Sequence, residues 1–183
     1  ALCLLSAPDL GAQEPTEATA TESRQPVVYT ALPIDTKIDI DGRLDETPWQ
    51  GPPIFELEYE TRPAENGPAP VRTEVWIGYD INNLYVAFRA HDPEPKQIRA
   101  RLSARDNAFQ DDFVGVALDT FNDQRRAFEF FVNPLGVQMD MTQNEMTGGE
   151  DDSWDAIWDS AGRITDTGYI VEMRIPLSSL RFP

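Results

Sequence analysis

The alternation running from Asp111 to Met141 is the strongest constraint on what this chain can fold into. In DDFVGVALDTF, Val114, Val116 and Leu118 alternate with Gly115, Ala117 and Asp119. After the polar FNDQRR, Phe128, Phe130 and Val132 alternate with Glu129, Phe131 and Asn133. Beyond Asn-Pro-Leu-Gly, Val137, Met139 and Met141 alternate with Gln138, Asp140 and Thr142. A period of two over this length is that of half-buried antiparallel strands. The reading is of one apolar face, with the two methionines on it. The opposite face carries Glu129, Phe131, Asn133, Gln138 and Asp140, where a ligand can sit.

The same period recurs along the chain. VRTEVWIGYD and LYVAFRAHD form two strands joined at Ile-Asn-Asn, and GYIVEMRIP forms a late one. Ile38 and Ile40 alternate with Asp39 and Asp41, and Asp41-Gly42 signals a turn. Asp45 to Pro48 suit a short helical turn anchored by Trp49, and Pro176 to Leu180 a short helix start. DPEPKQIRARLSARDNAFQ is a long connection with a helical turn expected at Gln97 to Ser103. Connections of that length are often functional. About eight short strands with turns every ten residues or so predict an all-β, antiparallel β-sandwich of the immunoglobulin or jelly-roll kind, with its last strands expected beyond Pro183.

Residues 1–12 resemble the end of a secretory signal peptide, with cleavage expected after Ala12. Residues 13–26 are polar and rich in Thr, Glu and Ala, the composition of a disordered linker. The folded domain is expected over 27–183. A formal charge of −17 excludes a phosphate-binding surface, and so nucleic acid as a partner. The single cysteine, Cys3, excludes disulfides and cysteine-based zinc sites within the chain. The one histidine, His91, has no Gly-x-Ser-x-Gly elbow to serve, and no glycine-rich phosphate loop is present. Carboxylates are plentiful, but no feature picks out the pair that glycoside hydrolysis needs. The expectation is a binding module, not an enzyme. No cofactor is called for. Calcium is admissible, with Glu150–Asp155 the best stretch, although no EF-hand-type loop supports it. Trp154 and Trp158, four residues apart in an acidic loop, either stack on a sugar ring or plug the end of the sandwich.

IDIDGRLDETPW, EVWIGYDINNLYVAFRAHDP, DDFVGVALDTF and GYIVEMRIPLSSLRF, in this order, resemble the family-9 carbohydrate-binding modules. The likeness is greatest to the version N-terminal to a bacterial outer-membrane-type barrel. It implies a secreted, non-catalytic β-sandwich that binds an oligosaccharide or polysaccharide, linked to xylan or glucan breakdown or uptake. It also implies a place in the periplasm or outer membrane of a Gram-negative bacterium, and a membrane barrel later in the full-length chain. The alternative is the same fold as a structural or protein-interaction domain with a degraded sugar site. In the resemblance, a sugar-stacking tryptophan corresponds to Phe109, a strand glutamate to Gly115, and an arginine to Phe131. The asparagine two residues on is kept as Asn133, and a second tryptophan falls beyond Pro183. The candidate carbohydrate-binding residues are Phe109, Asn133, Gln138, Trp154 and Trp158.

Overall fold

The computed structural model describes residues 27–60, 67–146 and 148–183. The stretches expected to be a signal-peptide remnant and a linker lie outside the described residues. Among the described residues, twelve strands run in chain order: β1 (Leu32–Pro33), β2 (Phe55–Glu56), β3 (Tyr59–Glu60), β4 (Gly67–Pro68), β5 (Thr73–Tyr79), β6 (Asn83–His91), β7 (Val114–Leu118), β8 (Arg126–Val132), β9 (Gln138–Asn144), β10 (Gly149–Asp151), β11 (Asp159–Thr165) and β12 (Gly168–Pro176). They build an all-β sandwich. One sheet has the order β1-β5-β6-β12-β11, with β2 also on β5; the other is β10-β9-β8-β7. β3 and β4 pair apart from both. All pairings are antiparallel except the two-residue β1–β5 contact.

The inner faces meet as the alternation requires. Val86 and Phe88 of β6 and Val171, Met173 and Ile175 of β12 pack against Val114, Phe130 and Val132 of β7 and β8. Each fully buried side chain of this size contributes about 1.5–3 kcal/mol. Short 3₁₀ turns replace the expected helical pieces, at Thr47–Gln50, Pro95–Gln97 and Leu177–Ser179. The turn expected over Gln97 to Ser103 stops at Gln97. Beyond it the backbone runs extended beside the start of β7, held where Arg99 N and Arg101 N donate to the carboxylates of Asp112 and Asp111.

A second apolar cluster lies on the other side of the larger sheet. Ile34, Ile38, Leu44 and Trp49 cover Trp76, Tyr85 and Ala87. Trp76 is therefore 1% exposed. Glu172, itself buried, staples this layer in place. Its Oε2 accepts from the backbone N–H groups of Asp41, Gly42 and Arg43 at 3.2, 2.9 and 3.2 Å, and its Oε1 accepts from Trp49 Nε1 at 3.1 Å. Gly42 turns the chain with φ of +78°, a conformation that other residues adopt only with strain.

Burial pushes the Glu172 carboxyl up from 4.5 to about 7, against the pull of these donors. The folded chain then holds this proton more tightly than the unfolded chain does. The proton's contribution to stability is complete at low pH and is lost as pH rises to about 7. Urea unfolding of wild type and Glu172→Gln should show a stability difference that changes by roughly 3 kcal/mol over that range. A difference independent of pH would contradict this.

Candidate functional site

Strand register decides what the outer face of the smaller sheet presents. β7 pairs with β8 so that Gly115 lies opposite Phe131 and Ala117 opposite Glu129. β8 pairs with β9 so that Phe131 lies opposite Met139 and Glu129 opposite Met141. β10 then brings Glu150 opposite Gln143. Residues directly opposite share a face. The outer face thus carries Glu129, Phe131, Met139, Met141 and Glu150.

This reverses the phase expected for β9. Met139 and Met141 lie on the outer face, while Gln138 and Asp140 share the inner face with Val132 and Phe130. The cause is the turn before the strand. Asn133 N donates to Val137 O at 3.1 Å and Gly136 N to Asn133 O at 2.9 Å, with Gly136 at φ +85°. Val137 closes this turn and does not begin the strand, and a shift of one residue exchanges the two faces.

Over the outer face lies an open cleft of about 410 Å³, lined by Phe109, Glu129, Phe131, Met141, Glu150 and Asp152. That is within the usual size of a small-molecule site. Phe131 fills the space above Gly115, where a β-carbon would come within 2.8 Å of its ring and 2.7 Å of the Phe130 carbonyl oxygen. Its ring meets Phe109 edge-on at 5.8 Å and Phe113 at 5.5 Å. Phe109 and Phe113 meet at 5.9 Å, also edge-on. Such edge-to-face packing is the favoured geometry for aromatic rings. Burial, with the neighbouring charge of Glu150, pushes the Glu129 carboxyl up.

The five candidate binding residues do not converge. Phe109 lines the cleft. Asn133 is fully buried and its hydrogen bonds go to protein. Nδ2 donates to Arg101 O and Asp111 Oδ2 at 2.9 and 3.0 Å, and Oδ1 accepts from Leu135 N and Val137 N at 3.0 and 2.9 Å. Gln138 Nε2 donates to Trp158 O at 2.9 Å. Trp158 is buried in the core against Phe130, ring centroids 5.2 Å apart. Trp154 packs on Phe128 at 5.1 Å and borders a separate concavity of about 290 Å³ with Phe121, Arg126 and Arg181. Met141 was hidden from sequence reasoning by the β9 phase. Glu150 and Asp152 read there as one acidic loop, with nothing to show that β10 aims them at Phe131.

The acidic residues that do converge are Asp106, Asp140 and Asp155, with one oxygen of each within 4.8 Å of the others. Of the expected calcium stretch only Asp155 takes part. Burial is the main force pushing Asp106 up. Arg105 already supplies a cation to this group: it bonds the buried Asp140, lies 3.2 Å from Asp155 and 3.7 Å from Asp106, and donates to Ala156 O at 2.8 Å. Three carboxylate oxygens are half or fewer of the six to eight that calcium takes. The donor set fits a guanidinium better than a metal ion.

Residues 40–183 match the family model described as carbohydrate family 9 binding domain-like. Two solved structures share the fold, both of a carbohydrate binding module family 9 from Caldicellulosiruptor kristjanssonii. The complex with cellotriose is 20% identical, with 84% of this chain and 68% of that one covered at a TM-score of 0.54. The complex with glucose is 21% identical, with 85% and 70% covered at 0.51. At these identities the likeness establishes the fold. No curated protein matches the chain.

Proposed function

The chain belongs to the carbohydrate family 9 binding domain-like family, and from that premise we propose that it is a non-catalytic carbohydrate-binding module whose site is the cleft over the outer face of β8 and β9. The observation that carries this is the pairing of an aromatic floor, Phe109 and Phe131, with open carboxylates at its rim. The C–H face of a pyranose is apolar and packs on such rings, while its hydroxyls donate to carboxylates. The neighbouring modules whose complexes contain cellotriose and glucose support the same class of ligand. Calorimetric titration with neutral reducing-end oligosaccharides should give saturable binding. An intact fold with no heat change for any of them would sink the reading.

A second reading, a structural or protein-interaction sandwich without sugar affinity, is favoured by two specific observations. Asn133 has its hydrogen bonds committed to protein. Gly115 and Phe131 stand where the resemblance places a glutamate and an arginine. The further proposals are a role in xylan or glucan breakdown or uptake, and a secreted setting in the periplasm or outer membrane of a Gram-negative bacterium beside a C-terminal barrel. Cell fractionation of the full-length protein tests the setting, and recovery from the cytoplasm would reject it.

A further inference from the structure

Among the described residues, the cleft is lined by three carboxylates and no cation. Among the described residues, Glu129, Glu150 and Asp152 make no ion pair. Other carboxylates in the loops of the same sheet do: Asp111 meets Arg101 at 3.0 Å, Asp112 meets Arg99 at 3.0 Å, and Asp123 meets Arg126 at 2.6 Å. The chain thus supplies arginines to several acidic groups around this sheet and, among the described residues, none to the cleft. Nor is this a metal cage. The acidic oxygens that converge belong to Asp106, Asp140 and Asp155, outside the cleft lining.

We propose that the preferred ligand is a glycan bearing ammonium groups, of the glucosamine type. This rests on the cleft being the sugar site. The sugar's C–H face packs on Phe109 and Phe131, and its ammonium group donates charge-assisted hydrogen bonds to Glu129, Glu150 or Asp152. Such bonds are stronger than those between neutral partners. A neutral hexose uses the aromatic floor and forgoes the charge. A uronic acid brings a fourth carboxylate into the cleft and is repelled. The elevated carboxyl of Glu129 has the same origin, because burial and Glu150 both oppose its charge while no cation relieves it.

The test uses calorimetry with three β-1,4-linked oligomers of equal length, built from glucosamine, N-acetylglucosamine or glucose. The glucosamine oligomer is expected to bind about tenfold more tightly than the glucose oligomer, a size set by one or two partly exposed ion pairs. That advantage should vanish above the titration of the sugar amine. It should also fall in Glu150→Gln/Asp152→Asn, whose amides keep an acceptor oxygen for sugar hydroxyls but carry no charge, the readout being the ratio of glucosamine- to glucose-oligomer affinity. Equal affinity for charged and neutral oligomers overturns the ammonium preference and leaves the sugar site standing. A preference that survives undiminished when Glu129→Gln is added to the double variant also overturns it, because attraction to the net charge of −17 would then suffice. Failure of all three oligomers to bind overturns the sugar site itself.

Discussion

Asp140→Ala is expected to lower stability by about 3 kcal/mol. Asp140 reads as a solvent-facing carboxylate in the alternation, yet it is 0% exposed. Its Oδ1 accepts from Arg105 Nε at 2.8 Å and also from Nη2, and its Oδ2 accepts from Ala156 N at 2.7 Å. Removing the carboxylate leaves the Ala156 N–H buried without an acceptor, and unsatisfied donors of this kind cost about 1–3 kcal/mol. It also removes the closest partner of Arg105, whose side chain is only 31% exposed. Breaking a buried pair from one side costs about 3–5 kcal/mol. The lower end applies, because Arg105 keeps Ala156 O at 2.8 Å and Asp155 at 3.2 Å. For a domain of this size the melting temperature should fall by about 10 °C, and urea unfolding should show the same loss. A variant as stable as wild type would mean that Asp140 is not buried as described.

Phe131→Ala is expected to weaken sugar binding by about ten- to a hundredfold, or about 1.4–2.8 kcal/mol. Phe131 is the centre of the aromatic floor, in ring contact with both Phe109 and Phe113. Its loss removes stacking area directly and frees the Phe109 ring from the neighbour that orients it. It also uncovers Gly115, so some stability is lost as well. Phe131→Leu separates the two effects, because it keeps cover over Gly115 but offers no ring. Binding lost in both variants, with the leucine variant near wild-type stability, assigns the effect to stacking. Full affinity in Phe131→Leu would show that the ring is not used.

β5, β6, β7, β8 and β12 were legible in the sequence because their inner faces are apolar at every second position. The Asp41-Gly42 turn and the short helical start at Pro176 were legible too, since their chemistry is local. Two features were not. The burial of Trp76 depends on Ile38, Leu44 and Trp49 returning across the sheet, a contact between distant segments that no local pattern encodes. The faces of β9 were exchanged because Asn133 holds Val137 within the turn, one residue later than the alternation suggests. That single shift put Asp140 inside and Met141 in the cleft. The site was half legible. Phe109 came from the family resemblance, while Glu129 and Phe131 came from the alternation of β8. Glu150 and Asp152 depend on the short strand β10 pairing back onto β9, in a stretch whose side chains all look like ordinary acidic loop. Asn133 was kept for its position in the resemblance, and its geometry makes it the pin of a turn.

The central claim is that the sugar lies on the outer face of β8 and β9, and amide chemical-shift mapping tests it most directly. On titration with an oligosaccharide, the largest changes should fall on Phe109, Glu129, Phe131, Met141 and Glu150. Shifts centred instead on Phe128, Thr142, Trp154 and Arg181, around the second concavity, would contradict it.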